Sequence, residues 1–297
     1  MISPNGKILN QVAINCTNCV DKFGHTVPTS PHMLGLRFNP VTHALWVLDF
    51  GAGFVLNVDP TTGSASALAP QFPGSALNAL TFDKYGNGYV SDSFAGTIWQ
   101  INLPPLPSPL PWISDPLTLG NGTPFVPFGT LTPPFGANGV EFSNDGNTLF
   151  VANTAFHQIV QIPVNYPASV RTTTANGPST IFITGINAPD GIAFDSNNNM
   201  WICANQEDEI VVINNTGKVI AKLGDFGGID PKGIVSGLLF PASLAFSPDG
   251  QWLCVTNLTL NLPFAGANPA IDSAWTLQVN GYTVSRLPAK IPPISGN

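Results

Sequence analysis

Charge is scarce in this chain: only 9% of its 297 residues are Asp, Glu, Lys or Arg, and Lys and Arg together number ten. The net charge is -7, with no basic cluster, which excludes nucleic acid and an anionic membrane surface as partners. Long apolar runs are also missing. None reaches the ~18 residues that a membrane-spanning helix needs. No stretch keeps a helical period for more than about two turns, which excludes a helical bundle. Met1 to Gly6 do not form a signal peptide, so the chain is expected either to be cytosolic or to have lost a leader. The low Lys content and four Asn-x-Ser/Thr sequons, at Asn15, Asn121, Asn214 and Asn257, favour a secreted or periplasmic location over a cytoplasmic one.

Cysteine is nearly absent as well. Cys16 and Cys19 form one Cys-x-x-Cys without a second pair or a nearby His set. That argues against zinc and leaves a local disulfide or two free thiols. Cys203 and Cys254 lie in apolar strand patterns and read as buried thiols.

Gly and Pro, by contrast, number 29 each, as many short strands joined by turns require. One phrase recurs five times: an apolar strand, a turn rich in Asn, Asp or Gly, and a second apolar strand ending in Asp or Asn. The copies are Leu34–Phe38 with Leu45–Asp49, Asn78–Phe82 with Gly88–Asp92, Asn138–Phe142 with Leu149–Asn153, Asp190–Phe194 with Trp201–Asn205, and Ala242–Phe246 with Leu253–Asn257. Spacings of roughly 44 to 60 residues between short-strand units mark a radial β-repeat, in which each unit buries its faces against its neighbours. The turns, such as Asp83–Asn87 and Ser247–Gln251, carry the residues that accept left-handed backbone.

Third and fourth strands follow each pair, as in Glu209–Ile213 and Lys218–Lys222 with Asn215–Gly217 between them, so each unit is expected to be a four-stranded blade. The fold is therefore read as an all-β propeller, one domain over 1–297, with five visible repeats and any sixth blade fragmentary or absent. Ile2–Leu9 reads like Ile213–Ile220 and is expected to close the ring by completing the last blade. Trp275–Val279 and Tyr282–Arg286 are expected to pair as a hairpin around Asn280-Gly281. The Pro-rich stretch at about 103–135 reads as an ordered loop over the propeller surface in preference to a polyproline ligand.

In a blade the first strand starts on the face of the disc where the second ends, so two rings of side chains should gather at the axial mouth. The inner ring reads Leu34, Asn78, Asn138, Asp190, Ala242; the second reads Asp49, Asp92, Asn153, Asn205, Asn257. Hard oxygens from Asn78, Asn138 and Asp190 suit calcium or magnesium better than zinc. Polar strand ends also cap turns, but polar residues at only three of five inner positions are poorly explained by capping alone.

Asn138–Asn153 and Pro189–Ala204 resemble the senescence marker protein (regucalcin)/gluconolactonase family. The resemblance covers about Leu34 to Asn257 and implies a six-bladed propeller with one divalent cation held in its mouth by a Glu, two Asn and an Asp. By motif, Asn138 and Asp190 match the second Asn and the Asp, and Asn78 the first Asn. The family's Glu has no counterpart: Leu34 stands in its place if the first unit is the family's first blade, and otherwise the blade bearing Glu is missing.

The resulting expectation is a small-molecule hydrolase of lactonase or esterase type, with calcium as the preferred cofactor and Asp190 both ligand and catalytic acid/base. Leu34, Asp92, Phe156, His157 and Glu207 are the expected substrate contacts, with Phe50, Phe54 and Phe94 near them, and His157 with Glu207 or Asp208 as a candidate acid/base pair. The rivals are a metal-free propeller that binds an apolar small molecule, with condensation or cyclisation by orientation, and a non-catalytic interaction module. A monomer is expected. No nucleophile elbow, phosphate loop, His-Glu-x-x-His or dinucleotide fingerprint occurs.

Overall fold

A computed structural model describes residues 11–30, 32–102, 110–115, 117–120, 135–167, 173–175, 177–259 and 273–290. Within them the chain forms an all-β propeller whose five blades follow one another around an axis. The first blade contains β1 (Asn15–Cys16), β2 (Met33–Phe38), β3 (Leu45–Asp49), β4 (Phe54–Val58) and β5 (Ser64–Ala67), in the order β1-β5-β4-β3-β2. The second is the meander β6 (Leu77–Phe82), β7 (Gly88–Asp92), β8 (Thr97–Ile101) and β9 (Leu110–Ser114). The third holds β10 (Ala137–Phe142), β11 (Thr148–Asn153) and β12 (Gln158–Asn165), which pairs with both β13 (Thr174–Ala175) and β14 (Thr180–Thr184). The fourth comprises β15 (Pro189–Phe194), β16 (Met200–Ala204), β17 (Glu209–Ile213) and β18 (Val219–Leu223). A hairpin of β19 (Phe226–Ile229) and β20 (Val235–Gly237) precedes the last blade, β21 (Pro241–Phe246), β22 (Trp252–Asn257) and β23 (Thr283–Pro288).

Apolar faces of successive blades close on one another, as the repeat pattern requires. Trp46 and Leu48 of the first blade pack with Leu80 and Val90 of the second. Tyr89 and Ile98 then meet Val140 and Val151 of the third, and Phe150 and Ile159 meet Ile192 and Ile202 of the fourth. Trp201 and Val212 meet Leu244 and Val255 of the fifth. Each fully buried Leu, Ile, Val or Phe contributes roughly 1.5–3 kcal/mol, so the inter-blade seams are the main source of cohesion. The first blade shows the converse. Leu36 and Phe38 are 65% and 58% exposed where Leu80 and Phe82 of the second blade are buried, because no preceding blade covers them among the described residues.

Two sequence expectations change. Trp275–Val279 does not form a strand: Ser273–Thr276 is a helical turn, α1. The Trp275 ring packs on Phe226 at 5.5 Å, while Thr283–Pro288, the expected partner of this segment, pairs with β22. Cys254, expected to be a buried thiol, is only partly buried, while Cys203 is buried as expected; Cys16 and Cys19 form the disulfide that was one of the two alternatives. Ile2–Leu9 and most of the Pro-rich stretch lie outside the described residues.

Candidate active site at the axial mouth

Every inner strand breaks register at its ring position. The ladder slips between Met33 and Leu36, Leu77 and Leu80, Ala137 and Val140, Pro189 and Ile192, and Pro241 and Ser243. A bulge bends a strand and re-aims its side chains, and here it falls on the same repeat column in all five blades. Neighbouring inner strands nearly touch at this level. A Cβ on Gly35 would crowd the carbonyl oxygen of Asn78, and one on Gly139 or Gly191 would collide with that of Asp190 or Ala242. Glycine is needed there for close backbone approach.

A repeating hydrogen-bond relay orients the ring. The Asn78 amide donates to Ser93 Oγ at 3.1 Å, and the Ser93 hydroxyl donates to the Ala137 carbonyl of the next blade at 2.7 Å. One blade on, Asn138 donates to Thr154 Oγ1 at 2.9 Å and Thr154 donates to the Pro189 carbonyl at 2.7 Å. Since each hydroxyl spends its single proton on a carbonyl, it can only accept from the amide. The amide nitrogens of Asn78 and Asn138 are therefore fixed against the wall, which turns both amide oxygens the other way. Asn138 Oδ1 is buried and has no hydrogen-bond partner, an arrangement that costs about 1–3 kcal/mol unless something else satisfies the oxygen.

Asp190 ends the polar arc. Its Oδ2 accepts from Asn205 Nδ2 at 3.2 Å, and Asn205 Oδ1 is a second buried oxygen without a partner. Asp190 keeps some solvent exposure, yet desolvation of the carboxyl pushes its pKa up to about 8, only partly opposed by the bond from Asn205. Among the described residues no cationic side chain offsets this. Two amides and one carboxylate, with an orphaned oxygen among them, fit a hard cation. Among the described residues no three His, Cys, Asp or Glu gather as a metal cluster, so the axial set is of oxygen and mainly amide character. Leu34, half-buried in the first blade, and Ala242 in the fifth complete the ring with apolar groups.

The second ring is structural, with one exception. The Asp92 carboxylate accepts from the backbone of Ala76, Phe94 and Ala95 and from Trp99 Nε1, so its bonds run to the wall of its own blade. Asp49 holds Ser30 and Ala52, Asn153 holds Leu117, Leu119 and Phe156, and Asn257 holds Leu239, Thr283 and Ser285. Asn205 alone reaches the inner ring. The hydroxyls of Ser93 and Thr154 were missed by the sequence reading, although they occupy one repeat column, directly after Asp92 and Asn153. Glu141 was missed too; it forms an ion pair with Arg37 across from the third blade to the first and accepts from Thr81 at 2.7 Å.

Among the other expected contacts, Phe156 is 49% exposed after β11 on the ring side. Phe50 and Phe94 form an edge contact at 6.0 Å, with Phe135 stacked on Phe94 at 5.9 Å. Phe54 is fully buried in the first blade and does not join them. Glu207 pairs with Lys222 at 3.4 Å, beside the shorter Lys222–Glu209 pair. His157 Nδ1 accepts from the Ala188 backbone N–H at 2.9 Å, so this nitrogen is occupied. Its pKa is lowered by desolvation, with the nearby Glu207 charge acting in the opposite direction. A cavity of about 480 Å³ lies at the other end of the inner strands, lined by Arg37, Phe38, Phe82, Phe142, Asp145 and Tyr166. At ~3.3 Å per strand residue it begins roughly 13 Å from the ring, and the axial oxygens do not line it.

Residues 133–224, which contain Asn138, Asp190, His157 and the relay of the third and fourth blades, match the model of the SMP-30/gluconolactonase/LRE-like region. No curated protein matches the chain. Among solved structures, a candidate gluconolactonase is 17% identical, with 78% of this chain and 74% of that one covered at a TM-score of 0.53. A streptogramin B lyase is 14% identical, over 89% and 71%, at 0.50. An inactive virginiamycin B lyase from Staphylococcus aureus with quinupristin is 13% identical, over 94% and 88%, at 0.50. At these identities the likeness is one of fold. Residues 133–224 are thus similar to the SMP-30/gluconolactonase/LRE-like region, and the chain shares the β-propeller fold of these structures.

Proposed function

We propose that the protein is a small-molecule hydrolase of lactonase or esterase type whose axial mouth holds a divalent cation, calcium by preference, on Asn78, Asn138 and Asp190. The observation that carries this reading is the orphaned Asn138 Oδ1, held by the Thr154 relay in the blade next to that of the uncompensated Asp190 carboxyl. When bound, such a cation supplies Lewis-acid polarisation of a lactone or ester carbonyl. The chain's own residues do the rest. A carboxyl whose pKa is raised toward neutrality is suited to take a proton from water and return it to a leaving oxygen, and the Asn205 amide orients Asp190 for that task. A nearby positive charge would lower that pKa and favour the ionised form.

With one carboxylate and no counterpart of the family's Glu, calcium affinity should be modest, since affinity follows ligand charge. The aromatic cluster of Phe50, Phe94 and Phe135, with Phe156 on the rim, favours substrates with an apolar body. The same cluster is what supports a second reading, a metal-free site for an apolar small molecule. Hydrolysis of a panel of lactones and aryl esters, with calcium chloride and with chelator, separates the two. Calcium-dependent turnover that is lost in Asp190→Ala supports the first. Saturable binding of apolar lactones, unchanged by chelator and without turnover, supports the second.

A further inference from the structure

In each of the first four blades the residue just before the third strand has left-handed backbone. It is glycine in the first two, Gly53 (φ 73°) and Gly96 (φ 62°), but His157 (φ 54°) and Asp208 (φ 55°) in the third and fourth. The two non-glycine residues do the same thing. His157 Nδ1 accepts from the backbone N–H of Ala188 at 2.9 Å, and Asp208 Oδ1 accepts from that of Phe240 at 2.7 Å. Ala188 and Phe240 themselves have positive φ, 47° and 54°, and each stands two residues ahead of an inner-ring position, Asp190 and Ala242. Non-glycine residues in this region cost of order 1–3 kcal/mol and persist only where surrounding bonds hold them. Around Ala188 those bonds are the His157 acceptor, the Asn205 N–H to the Ala188 carbonyl at 3.2 Å, and the Thr154 hydroxyl to the Pro189 carbonyl.

The acceptors differ in one respect. A carboxyl group keeps an accepting oxygen in either protonation state, whereas an imidazole nitrogen accepts only while neutral. The equivalent that serves the ring's carboxylate is the one that can be switched off. We propose that His157 is a positioning residue for Asp190, acting through the Ala188 N–H, and that its imidazole must be neutral, with the proton on Nε2, for the axial site to keep its shape. Its functional meaning rests on the axial cation reading; its geometry does not. The charged groups facing it are Glu207 and, behind that, Lys222 and Glu209; desolvation outweighs Glu207 and lowers its pKa. As pH falls below the ordinary histidine range toward this lowered value, the unfolded chain takes up the proton first and stability declines. Below it the imidazole protonates in place and two N–H groups face each other.

The test uses the full chain without metal. Imidazole nitrogen NMR should show a bare Nδ1 and an Nε2–H tautomer titrating below pH ~6.5, with the Ala188 amide losing exchange protection across the same midpoint. The Asp190 carboxyl, followed by its carbon shift, should titrate about where it does in wild type in His157→Asn. There the amide oxygen supplies a pH-independent acceptor and Asn tolerates left-handed backbone. In His157→Ala it should move by at least a factor of ten in proton affinity. Calcium chloride titrations should follow: affinity retained within about threefold in His157→Asn and at least tenfold weaker in His157→Ala. An Nδ1–H tautomer, or an Asp190 titration unmoved in His157→Ala, overturns the proposal whether or not calcium binds. Absence of calcium binding in every variant, with the NMR result as expected, overturns the cation reading and leaves the positioning role supported.

Discussion

Replacing Asp190 by Asn should make the protein more stable without calcium and less stable with it. A carboxyl whose folded pKa is raised to about 8 costs the fold nothing below the ordinary Asp value of about 4. The penalty grows from pH ~4 to ~8 and is complete above that. Leaving a largely desolvated charge without a cationic partner costs on the order of 1–3 kcal/mol. In Asp190→Asn the new amide oxygen would still accept from Asn205, so the variant removes the charge and keeps the bond. Calcium at one thousand times its dissociation constant stabilises by ~4.1 kcal/mol. With an unfolding entropy of about 2.1 cal/mol/K per residue over 297 residues, that is roughly 7 °C in Tm, and removal of the uncompensated charge is roughly 2–5 °C. Thermal melts of both proteins at pH 8.5, in chelator and in calcium chloride, should therefore cross: the variant melts higher in chelator, wild type higher in calcium. At pH ~4 in chelator the difference should vanish. Parallel shifts in both proteins, or a variant less stable under all conditions, would refute the reasoning, because Asp190 would then be an ordinary structural carboxylate.

Three further outcomes follow from the ring and its wall. Leu34→Glu places a second carboxylate at the first-blade ring position; calcium affinity by calorimetry should rise at least tenfold, and no gain would mean that Leu34 does not reach the shared point. Asp92→Ala strands three backbone N–H groups and the Trp99 indole. It should cost on the order of 3 kcal/mol or more in urea unfolding, with kcat/KM of the folded fraction unchanged. Ser93→Ala cuts the tie from Asn78 to the next blade; it should cost about 1–3 kcal/mol and weaken calcium binding severalfold as the Asn78 amide is freed to rotate.

The propeller was legible because its repeat is written in side-chain alternation and turn chemistry, both of which are local. The inner ring was legible for the same reason: a bulge at one repeat column keeps Leu34, Asn78, Asn138, Asp190 and Ala242 equivalent. In the second ring, sequence shows that Asp92 is polar but not that four donors converge on its carboxylate. His157 shows the same limit in the other direction. Its closeness in sequence repeat to Glu207 and Asp208 suggested an acid/base pair, while its contact with Ala188 depends on the next blade, 31 residues later. The hairpin expected at Trp275–Val279 depended on contacts that sequence does not show: Ser273–Thr276 is a helical turn with Trp275 packed on Phe226, and β23 pairs with β22.

Diffraction from crystals grown in calcium chloride tests the central claim most directly. The account predicts one peak on the propeller axis, ~2.3–2.6 Å from Asn78 Oδ1, Asn138 Oδ1 and an Asp190 carboxylate oxygen. Clear density for all three side chains with no such peak, or with their oxygens turned away from a common point, would contradict it.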